Sequence, residues 1–160
     1  MSDWGSMARV TTVTTMSDGE VVPGFLHVLG AVPYRAGPET VLEMLNRPEG
    51  FFATTFDEGG VLILSKAQVV MVVCPIDAPD GPEASTDDDD DDGGGRPPIR
   101  MSVRLTTGED LVGEVGAELP STRARPIDYL NATGPFFELR TEAAQRLINR
   151  AYVRAVRPVE

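Results

Sequence analysis

"MSDGEVVPGFL" at 16–26 and "LTTGEDLVGEV" at 105–115 are one segment written twice. Gly19 and Glu20 match Gly108 and Glu109, and Gly24 matches Gly113. The likeness continues outward. "EMLNRPEGFF" (43–52) lies over "DYLNATGPFF" (128–137), which pairs Leu45 and Asn46 with Leu130 and Asn131, and Phe51 and Phe52 with Phe136 and Phe137. At the ends, "LSKAQVVMVVCP" (64–75) lies over "LINRAYVRAVRP" (147–158). That alignment pairs Leu64, Val70, Val73 and Pro75 with Leu147, Val153, Val156 and Pro158. Eleven identities in one order over about sixty residues are an internal repeat. A chain of 160 residues has room for two small domains.

The copies are read as 9–76 and 98–159, after an unstructured N-terminus at 1–8. Between them, at 77–97, lies a segment that includes six consecutive aspartates at 87–92 and three glycines at 93–95. Like charges repel and glycine has no preferred conformation, so this composition predicts a disordered linker. As a calcium loop it fails. Starting at Asp88, the twelfth position is Ile99, where a bidentate glutamate is needed. Charge is divided unevenly. Residues 1–75 carry 4 basic and 8 acidic side chains, 76–95 carry none and 9, and 96–160 carry 10 and 8, all ten of them arginine. The formal net charge of -11 argues against nucleic acid as a partner of the whole chain, yet the C-terminal copy is mildly basic.

Each copy opens on an alternating run, "RVTTVTTM" or "IRMSVRL", the period-2 mark of a half-buried strand. A glycine turn follows, then a second strand in which Gly24 or Gly113 marks a bulge or tight bend. Pro23 removes a ladder donor there. "AGPETVLEMLN" predicts a short helix in the first copy, whereas "RPIDYLN" in the second predicts little more than a turn. Three short strands close each copy. The fold class expected is all-β: two small five-stranded SH3-like barrels, whose closure would remove exposed edges.

Each copy also resembles an Sm-like domain. "LTTGEDLVGEV" with "DYLN" is similar to the first Sm motif, and "LINRAYVRAV" to the second. The resemblance implies a bent five-stranded sheet, strand pairing between subunits and, in RNA-binding members, a uridine-type pocket. Carried over, Asn131 would face a base, with Asn149 and Arg150 on its other side. In the first copy Glu43 stands where the motif has aspartate, and Ser65-Lys66 where the second copy has Asn149-Arg150.

Catalytic patterns are missing. His27 is the only histidine and Cys74 the only cysteine, so neither a metal-ligand set nor a disulfide framework is expected. "DGGGRPP" lacks the Gly-Lys-Ser/Thr of a phosphate loop. No enzyme activity, cofactor, metal or small-molecule substrate is predicted. No apolar run is long enough to span a membrane, and with no secretory signal a cytoplasmic protein is expected. Two surfaces remain. "VVMVVC" is apolar on both faces, so Val69, Met71 and Val73 form a candidate interface with the other domain or another subunit. Its counterpart strand is read as carrying Tyr152 and Arg154 where this one has Val69 and Met71. The arginines of the second copy, Arg123 and Arg125 on a Pro-flanked loop together with Arg150, are candidate anion contacts beside Asn131 and Asn149. The first function expected is a non-catalytic protein-interaction or assembly module, with a protein partner or self-association. The alternative is RNA binding by the second copy, gated by the aspartate linker lying on those arginines in cis.

Overall fold

A computed structural model of the chain describes residues 7–33, 36–75, 99–115 and 125–159. The linker 77–97 with its aspartates, Arg123 and the first six residues lie outside them. The elements in chain order are β1 (Met7–Met16), β2 (Val21–Leu29), α1 (Val41–Leu45), β3 (Phe51–Thr55), β4 (Val61–Ser65) and β5 (Val69–Pro75). They continue with β6 (Ile99–Leu105), β7 (Asp110–Val115), α2 (Pro126–Ala132), β8 (Phe136–Arg140), β9 (Ala144–Asn149) and β10 (Val153–Pro158). β1 thus begins inside the stretch read as an unstructured N-terminus. The architecture is all-β with two short helices. The ten strands form one antiparallel sheet, in the order β10-β6-β7-β8-β9-β5-β1-β2-β3-β4. The first five strands run β5-β1-β2-β3-β4 and the last five run β10-β6-β7-β8-β9, so the same order occurs twice and β5 meets β9 at a seam.

Local sequence explains the turns. Gly19 and Gly108 both have φ +92°, which a side chain would resist, and each sits between a first and a second strand. Gly24 and Gly113 serve a different need. A Cβ at Gly24 would lie 2.5 Å from Thr54 Cγ2 and 2.8 Å from Thr55 O, and one at Gly113 would collide with Arg140 O. The second strand of each half crosses the third at that contact, which only glycine permits. α1 starts with a capping box: Glu43 N donates to Thr40 Oγ1 and Thr40 N donates to Glu43 Oε1, both at 3.1 Å.

Two expectations need correction. "RPIDYLN" forms a true helix, α2, rather than a turn. Pro126 occupies the first turn, where its missing N–H costs nothing, and Asp128 there favours the positive end of the helix dipole. The second correction concerns the end of the repeat. β5 pairs with β1 as Val69↔Met16, Met71↔Thr15 and Val72↔Thr14. β10 pairs with β6 as Val153↔Leu105, Ala155↔Arg104 and Val156↔Val103. Both ladders slip at the same place, passing over Val70 and Arg154. Val69 and Met71 therefore correspond to Val153 and Ala155, not to Tyr152 and Arg154. Likewise Phe52 pairs with Leu64 and Phe137 with Ile148, so Leu64 corresponds to Ile148 and Ile63 to Leu147. Identity matching in a valine-rich strand slid by one residue, and a one-residue slip turns every side chain to the other face.

Two hydrophobic cores result, and each borrows from the other half. The first contains Leu26, Val28, Leu45, Phe52, Leu64, Val69 and Val72, with Phe136 and Leu147 from the second half. The second contains Met101, Val103, Leu105, Phe137, Leu139 and Ile148, with Val70 and Met71 from the first.

Candidate functional site

The seam is built by β5 and β9, whose pairs include Met71↔Ile148, Val72↔Leu147 and Val73↔Arg146. Of the candidate interface residues, Met71 and Val73 lie in this ladder and Val69 packs in the first core. A strand apolar on both faces has cover on both: Val69 and Val72 belong to one core, Val70 and Met71 to the other. Burial of Phe136 and of Leu147 stabilises the seam by about 1.5–3 kcal/mol each.

Polar side chains complete the seam. Asn46, at the end of α1, brackets the backbone of Phe136: its Nδ2 donates to Phe136 O at 3.1 Å, and Phe136 N donates to its Oδ1 at 2.8 Å. The side-chain amide acts there like one more residue of a strand. From the other side, Asn149 Nδ2 donates to Val69 O at 2.9 Å and Lys66 O at 3.2 Å, while its Oδ1 accepts from Ala151 N at 3.0 Å. The Tyr152 hydroxyl donates to Ala67 O.

The remaining candidates occupy separate places. Arg125 is exposed ahead of α2 and holds Asp128 through two bonds, Nε to Oδ2 at 2.8 Å and Nη2 to Oδ1 at 3.2 Å. Asn131 is exposed near the end of α2. Arg150 Nη1 donates to Leu130 O at 2.8 Å and Thr133 O at 3.1 Å, so it satisfies the last carbonyls of α2. Lys66 does the same for α1: Nζ donates to Met44 O at 2.9 Å and Arg47 O at 3.1 Å. Burial holds the Lys66 ammonium below its usual range, against an opposing pull from Glu49. Arg150 thus lies against the helix end that carries Asn131, whereas the Asn149 amide turns into the seam. Sequence reasoning singled out neither Lys66 as a cap nor Asn46 as a clasp. The repeated Leu-Asn pair was the available signal, but it gave no direction for the side chain.

The two ends of the sheet are open among the described residues. At the β4 end stand the counterparts of the two side chains buried at the seam. Phe136 is 2% exposed and its counterpart Phe51 is 64% exposed; Leu147 is 1% exposed and Ile63 is 68%. Val61 and Leu62 are also exposed. This edge carries none of the charges or prolines that discourage strand addition. The β10 end differs, with exposed Arg154, Arg157 and Pro158. The counterpart of Asn46 at that end is the exposed Asn131.

Cys74 is buried, and burial followed by the nearby Glu138 charge pushes its thiol up to about 11, so it holds almost no thiolate at neutral pH. His27 Nε2 lies 2.7 Å from Thr55 Oγ1, and burial, then Arg9, lowers its pKa. Among the described residues no three His, Cys, Asp or Glu side chains gather as a metal site, and no helix is long and apolar enough to cross a membrane. No family model, curated protein or solved structure matches the chain.

Proposed function

We propose that the chain is a non-catalytic interaction and assembly module, built of two SH3-like, Sm-like halves joined by the acidic linker. It works by accepting a partner strand at its open sheet edge. The observation that carries this reading is the contrast at the β4 end of the sheet: Phe51 on β3 and Ile63 on the edge strand β4 are the counterparts of buried seam residues, yet both face solvent. An unpaired apolar edge is a template for backbone pairing, in which main-chain hydrogen bonds give affinity and alternate side chains give specificity. The RNA-binding alternative is less well supported. Its pocket would have to form without the Asn149 amide, whose donor is committed to two carbonyls of the first half.

The test is a photo-crosslinking side chain placed at Val61 in the chain expressed in cells. Discrete crosslinked species that disappear when Ile63→Lys is added support the reading. A chain that gives no crosslink at Val61 overturns it.

A further inference from the structure

We propose that the first half holds a binding site for a small apolar carboxylate between β2, β3 and the end of α1, with Lys66 and Arg47 taking its two oxygens. The site goes beyond strand addition at the sheet edge and does not depend on it.

The cavity arises where two strands part. β2 and β3 pair only as Phe25↔Thr55 and Leu26↔Thr54. One residue further on, His27 and Ala53 no longer pair, and both line a cavity of about 220 Å³. Met7, Met44, Phe51 and Phe52 give it apolar walls. Its volume falls below that of a drug-sized pocket, so it suits a ligand of few atoms. Asn46, the counterpart of the residue that the Sm-like resemblance sets against a base, brackets Phe136 and takes no part in this cavity.

Two donors are unused there. Lys66 lines the cavity and is 8% exposed. Its ammonium has three N–H donors, and Met44 O and Arg47 O accept two of them. Arg47 lines the cavity as well. It gives Nη2 to Glu39, but its Nε is buried and has no hydrogen-bond partner. A buried donor without an acceptor is costly. One carboxylate oxygen on each donor satisfies both, and the apolar walls cover the rest of the molecule. Burial already holds the Lys66 ammonium below its usual range, and a neighbouring anion offsets that. Of the two acids near Lys66, Glu39 is engaged by Arg47 and Glu49 is exposed.

The repeat shows that the fold itself does not require this set. Arg150 caps α2 as Lys66 caps α1, so an arginine serves the structural role. Yet Lys66 is the only lysine in a chain with thirteen arginines. Where the first half has Arg47 and Glu49, the second has Ala132 and Gly134. The polar groups of the cavity therefore belong to one half and not to the shared design.

The experiment labels the full chain with a stable carbon isotope at the lysine ε-carbon. Lys66 alone then gives the resonance. Acetate, isovalerate and phenylacetate are titrated in, with phenylacetamide and inorganic phosphate as controls. Phenylacetate should move the resonance saturably, with a dissociation constant of about 1 mM or below. Acetate, which covers little of the apolar wall, should bind about tenfold more weakly. At saturation the pH at which Lys66 titrates should rise, because the anion favours the ammonium. Phenylacetamide and phosphate should leave it unchanged. Ala53→Leu fills the cavity from a half-buried position and should abolish the response. Glu49→Gln removes an exposed opposing charge and should tighten binding about twofold. The proposal is overturned if none of the three acids moves the resonance at tens of millimolar. It is equally overturned if phenylacetamide or phosphate binds as well as phenylacetate, or if Ala53→Leu responds like the wild-type chain. The crosslink at Val61 is a separate outcome and stands or falls by itself.

Discussion

Phe51-Phe52 and Phe136-Phe137 are the same pair of residues in two situations. In each half the second phenylalanine fills that half's own core: Phe52 in the first, Phe137 in the second. The first phenylalanine points to a neighbour. Phe136 finds one and is buried in the opposite core; Phe51 faces solvent. The pair Leu147 and Ile63 repeats the contrast. The lesson is that a motif encodes a demand for cover, and topology decides whether the same chain meets it. Halves of one design differ because one has its fourth strand against a partner strand and the other has it at the edge.

The largest expected effect separates these two positions. Leu147→Ala should destabilise the folded chain by about 2–5 kcal/mol, because it opens a cavity where both halves meet. Ile63→Ala, measured by urea unfolding at dilute concentration, should stay within about 0.5 kcal/mol, as for other surface changes. Equal losses at the two sites would break the comparison, since Ile63 would then be buried in the isolated chain.

A smaller difference is expected at the asparagines. Asn46→Ala removes the bracket on Phe136 and leaves a backbone donor and an acceptor without partners, at a cost of about 1–3 kcal/mol. Hydrogen exchange should locate the loss at the Phe136 amide. Asn131→Ala in the same dilute chain should change stability by no more than about 0.5 kcal/mol. An Asn46→Ala chain with unchanged protection at Phe136 would show that the ladder holds the seam without the clasp.

Much of the fold was legible because its signals are local. The turn glycines Gly19 and Gly108, the period-2 strands and the short helix expected within 36–46 all follow from constraints within a few residues. α2 was under-read: the run 125–131 was expected to form little more than a turn, though a proline in the first helical turn costs nothing. The strand equivalence at the end of the repeat was misread because valine identities are cheap in a β-strand, while the true register is set by pairing to a distant strand. The candidate site was less legible. Asn149 was prominent as a motif residue, but its amide is spent on carbonyls some eighty residues away, a contact no local pattern announces. Phe51 and Ile63 lie in segments read only as short strands, and only their place at the β4 end of the sheet marks them as exposed counterparts of seam residues.

The smallest expected effect concerns the cores themselves. The first half places Thr12, Thr14 and Thr54 where the second has Met101, Val103 and Leu139. All three threonines are fully or almost fully buried, and among the described residues their hydroxyls find no hydrogen-bond partner. A buried hydroxyl loses its water without compensation, so the first core is the weaker of the two. Thr14→Val keeps the shape and removes the orphan oxygen, and should stabilise the chain by about 1 kcal/mol, which raises the melting temperature by roughly 2–4 °C at this length. The reciprocal Val103→Thr should cost about the same, because it installs the same orphan in the better core. Opposite signs from the two substitutions would establish that the halves differ in core polarity, and not only in their neighbours. A loss from Thr14→Val would mean that its hydroxyl is satisfied in solution, and the difference between the halves would then reduce to the seam and the edge.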